Sequence, residues 1–170
     1  MGLMDILQQF AAASAGAGAN ADAHFDQAAR QASPDLLGHG IGEAFRSDQT
    51  PAFGDMVGQL FGQSNGQQQA GALNQILATL GPMAMAGVAG GALSKILGPG
   101  AANTQSITPA QASQLTPEQV SQIAAHAEQA QPGIVDKLSE FYAQHPTLVK
   151  TLGGVALSIV LSKMHDKLTS

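Results

Sequence analysis

The spacing in this chain that most resembles catalysis is Gly62-Gln63-Ser64-Asn65-Gly66, which fits the G-x-S-x-G form of a serine nucleophile. That motif works where a strand enters a strained turn and lifts the serine hydroxyl above a parallel sheet. Both flanks of Ser64 have helical periodicity, so the segment predicts a turn between helices. The five histidines, His24, His39, His126, His145 and His165, never stand four apart, and none lies in an H-E-x-x-H arrangement. His126 and Glu128 are two apart and do not share a helix face. His39 lies among glycines and His145 before a proline, which are settings of solvated loop histidines. Gly38-His39-Gly40-Ile41-Gly42 departs from G-x-G-x-x-G and follows no strand, so it predicts no phosphate cradle. Carboxylates are sparse and mostly solitary, which leaves no obvious acid/base pair. No catalytic, cofactor-binding or metal-ligating residue is assigned, and the chain is expected not to be an enzyme.

Composition narrows the partners. Charged residues make up 11% of the 170, under half the usual quarter, and the net charge is −5. Residues 1–85 carry Asp5, Asp22, Asp26, Asp35, Glu43, Asp48 and Asp55 against only Arg30 and Arg46, whereas acids and lysines balance in 86–170. No basic stripe exists to neutralise a phosphate backbone, so nucleic acid is not an expected partner, and attraction to an anionic membrane surface is weak. Absence of cysteine excludes disulfides and thiolate chemistry and fits a cytoplasmic location, with peripheral membrane association or export as alternatives. The start lacks the basic n-region of a secretory signal, and Ile6 stands where a myristoylation pattern needs Ser or Thr.

Few β-branched or aromatic runs are available for strands. Ala, Gly, Leu and Gln dominate, and the fold class read from them is all-α. About seven to nine short helices are expected to pack as an orthogonal or antiparallel bundle without a β-sheet. Leu3, Ile6, Leu7 and Phe10 recur at i, i+3, i+4, i+7 and predict an amphipathic helix. Residues 11–21 read as an Ala/Gly tether. Asp22 to Ala32 predicts a helix burying Phe25 and Ala28. Ser33-Pro34 and Thr50-Pro51 both read as helix starts, although Gly38, Gly40 and Gly42 argue for an irregular stretch after the first. Phe53, Met56, Val57, Leu60 and Phe61 form one helical face, and Ala70, Leu73, Ile76, Leu77 and Leu80 form the next, stopped at Gly81-Pro82. A Gly/Ala-rich helix is expected from Met83 to Leu97, then a loop over 98–106.

Thr108-Pro-Ala-Gln111 and Thr116-Pro-Glu-Gln119 both match a capping box with proline at the first helical position. Amphipathic helices are expected around Val120 to Ala127 and Ile134 to Tyr142, and a last one from Thr147 to about Leu168, apolar nearly all round from Leu152 to Leu161. Short turns predict antiparallel neighbours with the last helix in the middle. Thr151 to Ser162 is uncharged but spans roughly 18 Å, well short of a hydrocarbon layer of ~30 Å. Ile76 to Leu93 is longer, with Gly87-Val-Ala-Gly-Gly91 in the small-xxx-small pattern of membrane helix pairs. Gly81-Pro82 inside it favours two helices in a soluble core.

Met56-Val-Gly-Gln-Leu-Phe-Gly62 and Leu73-Asn-Gln-Ile-Leu-Ala-Thr-Leu-Gly-Pro-Met-Ala-Met85, followed by Gly87, carry a resemblance to the bacterial YidB-like family, a domain of unknown function. Met1-Gly-Leu3 with Asp5 also looks like its usual start. The resemblance covers mainly residues 53–98 and implies a compact, orthogonally packed helical domain with no known catalytic residues. Gly66-Gln-Gln-Gln69 shortens the family's usual segment between turn and second helix, and 108–170 has no clear counterpart. The expected segmentation is 1–24 as helix plus tether, 25–98 as the YidB-like region, 99–107 as a loop, and 108–170 as a C-terminal region packing on it, with one globular unit as the alternative.

The function expected from these features is a protein–protein interaction or self-association module with an unidentified protein partner. Leu3, Ile6, Leu7, Phe10, Gly87 and Gly91 are the candidate interaction residues. Alternatives are a membrane-associated protein, suggested by Ile76–Leu93, and a helical protein binding a small apolar ligand, suggested by six methionines.

Overall fold

The computed structural model describes residues 2–13, 21–81 and 107–169. Among them are ten α-helices and no strand, as the composition implies. In chain order they are α1 (Leu3–Ala13), α2 (Ala21–Gln31), α3 (Pro34–Arg46), α4 (Phe53–Gln63), α5 (Gly66–Leu80), α6 (Pro109–Ala112), α7 (Pro117–Ala130), α8 (Ile134–Ala143), α9 (Pro146–Val149) and α10 (Gly154–Thr169). Two of the ten, α6 and α9, are single turns of four residues. The Met83–Leu97 helix, the loop over 98–106 and most of the 11–21 tether lie outside the described residues.

The chain divides into two compact units, residues 1–50 with 139–170, and residues 51–138. The first unit is built from both ends of the chain, because tight helix pairs such as α3 with α10 join faces far apart in sequence.

In the first unit α10 packs chiefly on α1, α2 and α3, not in the middle of the other C-terminal helices. It buries Ala156, Leu157, Val160, Leu161 and Met164 along one face. α3 contributes Leu36, Leu37, Ile41, Ala44 and Phe45, and it is a regular helix despite its glycines. A Cβ on Gly40 would lie 2.7 Å from the Val160 carbonyl oxygen and 3.0 Å from Met164 Cγ. Glycine in a helix interior costs about 1 kcal/mol, but here it lets α10 approach, and packing supplies most helical stability. Ser33 caps α3 as expected, its Oγ accepting from Leu36 N–H at 3.2 Å. Thr50 does not start α4. Its hydroxyl points back to the Ala44 and Ser47 carbonyls at 2.6 and 3.0 Å, satisfying the open end of α3, and Ala52 holds the α4 N-cap without a side-chain bond. The continuous helix expected from Thr147 is broken, because Gly153 takes φ +98° after the 3-10 turn Lys150–Leu152. Lys150 Nζ donates to Asp26 Oδ2 at 2.8 Å.

In the second unit α4 runs antiparallel against α7. A Cβ on Gly54 would meet the Ser121 carbonyl oxygen at 2.5 Å, and one on Gly58 the Pro117 carbonyl oxygen at 2.7 Å. Ser121 Oγ donates to Asp55 Oδ1 at 2.9 Å along the same seam. Asn65 and Gln68 form a capping box at the start of α5, and the Thr108/Gln111 and Thr116/Gln119 boxes form at α6 and α7. Asn74 clamps the backbone of Ile107, accepting its N–H at 2.6 Å and donating to its carbonyl at 3.2 Å. Gln69 Nε2 donates to the Phe61 carbonyl, and its Oε1 accepts from Ser113 Oγ.

Candidate functional site

Ser64, the centre of the G-x-S-x-G spacing, lies in a turn between helices. Ser64 is the C-cap of α4, and its Oγ donates to the Leu60 carbonyl at 2.7 Å. Its proton is therefore committed to closing a helix end, as a turn reading requires. His39 is helical and exposed, not in a loop. His145 holds the N-cap position of α9, with its ring 4.9 Å from that of Phe141. Among the described residues no three His, Asp or Glu side chains converge as a metal would require.

The candidate interaction residues fall in three places. Ile6, Leu7 and Phe10 are 1%, 0% and 7% exposed, so the apolar face of α1 is spent on α2 and α10. Leu3 is half-buried beside them. Gly87 and Gly91 lie outside the described residues, as does most of Ile76–Leu93. Among the described residues no helix is long and apolar enough to cross a membrane.

The concavity sequence reading missed lies within the first unit. A cleft of about 1070 Å³ is walled by α1, by the end of α3 with its following turn, and by α10. α1 contributes Leu7, Phe10 and Ala11; Glu43, Arg46, Ser47, Asp48 and Gln49 form the second wall. α10 contributes Gly154, Val155, Ser158, Ile159, Ser162, Lys163 and His165. Two large apolar side chains on this wall give the cleft an apolar lining. With Leu157, Val160 and Leu161 turned into the core, the i, i+4 pair Val155 and Ile159 falls on the opposite side of the helix. Val155 is 60% exposed, the most of any large apolar residue described. The one legible signal was that residues 152–161 are apolar all round, and one helix face cannot absorb them all.

The rim is polar and of mixed sign. Arg46 Nη1 stands 3.9 Å from Glu43 Oε1, one turn away on α3. Asp48 is exposed and Lys163 half-buried, and neither side chain has a hydrogen-bond or ion-pair partner among the described residues. Ser158 Oγ donates back to the Gly154 carbonyl at 2.7 Å, a helix back-bond that occupies its proton. Ser162 and His165 face the cleft one turn apart. The arrangement is an apolar floor with a charged border. The chain matches no family model, no curated protein and no solved structure.

Proposed function

We propose that this chain is a non-catalytic helical protein that works through protein–protein contact at the α1/α3/α10 cleft. The observation that carries the reading is the exposed Val155 on an apolar floor, bordered by charges of both signs. Interfaces that bind and release have this anatomy, an apolar centre inside a polar rim. The shape favours a convex partner over self-association through the same surface, because a two-fold axis sets a concave patch against its own copy. A cytoplasmic setting belongs to the same proposal and rests on the missing cysteine. The YidB-like resemblance, which implies no catalytic residue, supports it from a separate direction.

A second reading is favoured by the volume of the cleft, which is that of pockets for drug-sized molecules. An amphiphilic small molecule would lay its apolar part on Val155 and Ile159.

One experiment tests the first reading and separates it from the second. A photocrosslinking side chain is placed at Val155, with Leu168, the other exposed large apolar residue at 43%, as control. Irradiation in cells of the source organism is expected to give discrete protein adducts at 155 that Ile159→Asp abolishes. Equal labelling at both positions, or adducts with the mass of small molecules only, refutes protein contact at the cleft.

A further inference from the structure

Resting on the reading of the cleft as a protein-contact site, we infer that its occupant is an amphipathic helix with one acidic and one basic flank. The acidic flank lies along α10, the basic flank along the turn after α3, and an apolar stripe lies between them.

The three walls differ in charge. α1 presents only Leu7, Phe10 and Ala11. α10 presents Lys163 and His165 among the hydroxyls of Ser158 and Ser162, with no acid. The third wall holds Glu43, Arg46 and Asp48, and because Arg46 sits beside Glu43 at 3.9 Å, Asp48 is left as its net charge. Opposite signs thus face one cleft without meeting across it. The Lys163 ammonium is the sharper of the two signals. It is half removed from water and has no anion within the described residues, and a charge so placed gains from a carboxylate brought by an occupant. Asp48 offers the matching place for a cation.

The geometry selects a helix. From Val155 to His165 the α10 wall runs about 15 Å, which matches some three turns of an occupant about 10–12 Å across. Helix-in-groove recognition reads apolar anchors at i, i+3, i+4 and i+7, and Val155 and Ile159 supply the accessible floor for them, with the buried Leu7 and Phe10 packed behind it. A second copy of this chain would bring a concave surface, and a single-headed amphiphile would use only one of the two charged walls.

The test titrates the full chain with stapled peptides of about fifteen residues, because shorter free helices are marginal in water. All share one leucine stripe. One peptide has a glutamate flank and a lysine flank, one has glutamine on both, one lysine on both and one glutamate on both. The mixed-charge peptide is expected to bind tightest to the native chain, by about threefold to fivefold over the glutamine peptide at low salt. Lys163→Glu, which makes both charged walls acidic, is expected to move the preference to the lysine peptide. Asp48→Lys on the exposed turn is expected to move it to the glutamate peptide. Circular dichroism confirms that each variant is folded. Equal binding of all four peptides, or a preference that neither substitution moves, overturns the inference. If no peptide binds while the Val155 crosslinker still captures a protein, the helical occupant is wrong and the contact site stands. If both fail, both readings fall.

Discussion

Tyr142, the single tyrosine of the chain, is fully buried, and its hydroxyl has no hydrogen-bond partner among the described residues. The rings of Phe45 and Phe141 stand edge-on to it at 6.3 and 5.2 Å. The aromatic cluster therefore stabilises the ring and leaves the oxygen without compensation, a loss of about 1–3 kcal/mol for a buried polar group. Tyr142→Phe keeps the ring packing and removes that loss, so the variant is expected to be as stable as the native chain or more stable near neutral pH. Burial also pushes the phenol above its ordinary value of 10.0. The unfolded chain ionises as pH passes about 10 while the folded chain stays neutral, so native stability falls as pH rises beyond that point. The phenylalanine variant lacks this loss. Urea midpoints at about pH 7 and about pH 11 check both statements. With one tyrosine present, phenolate absorbance reports this residue alone. Phenolate appearing while the fold is intact would contradict the account.

At the scale of elements, glycines decide where helices touch. Gly58→Ala gains about 1 kcal/mol in helix propensity. Its new Cβ would nonetheless stand 2.7 Å from the backbone oxygen of Pro117, so α4 and α7 must part, and overpacking of this kind costs about 1–3 kcal/mol. Net destabilisation is expected, against a near-neutral Gly62→Ala on the exposed side, where the nearest atom is the flexible Pro117 Cγ at 3.3 Å. Thermal unfolding of the two variants settles the comparison. The same contrast explains what sequence could reveal. Capping boxes at Thr108 and Thr116 were legible because every participant lies within three residues. Asn65–Gln68 carries the same chemistry but was hidden inside a Gly-rich turn. The close approach at Gly40 was illegible, because propensity records the cost of a glycine and says nothing of the helix that arrives over it. Thr50 was misread for a related reason, since its hydroxyl serves the helix behind it instead of the one ahead.

Across the molecule, amides stand where other proteins use charges. Gln68, Gln111 and Gln119 close capping boxes, Asn74 clamps Ile107, and Gln69 ties Phe61 to Ser113. Ion pairs are few among the described residues, and that of Lys150 with Asp26 is partly exposed. Such pairs are worth about 0–1 kcal/mol and are screened by salt, whereas neutral amide bonds are not. The urea midpoint is therefore expected to change little between about 0.02 and 0.3 M sodium chloride, and a large fall would show that charge carries more of the fold than these contacts do. The helical class was legible from composition, but the site was not. Lys163 and Asp48 lie over a hundred residues apart in sequence, and only the placement of α10 on α3 brings them to one cleft. That placement also sets an order of events on the ribosome. Residues 51–138 form a compact unit of their own between the two pieces of the other. They leave the exit tunnel as one unbroken stretch of chain and can fold as a body while synthesis continues. α1, α2 and α3 must wait through that interval with Leu7, Phe25 and Ile41 only partly covered, until α10 emerges and completes their core.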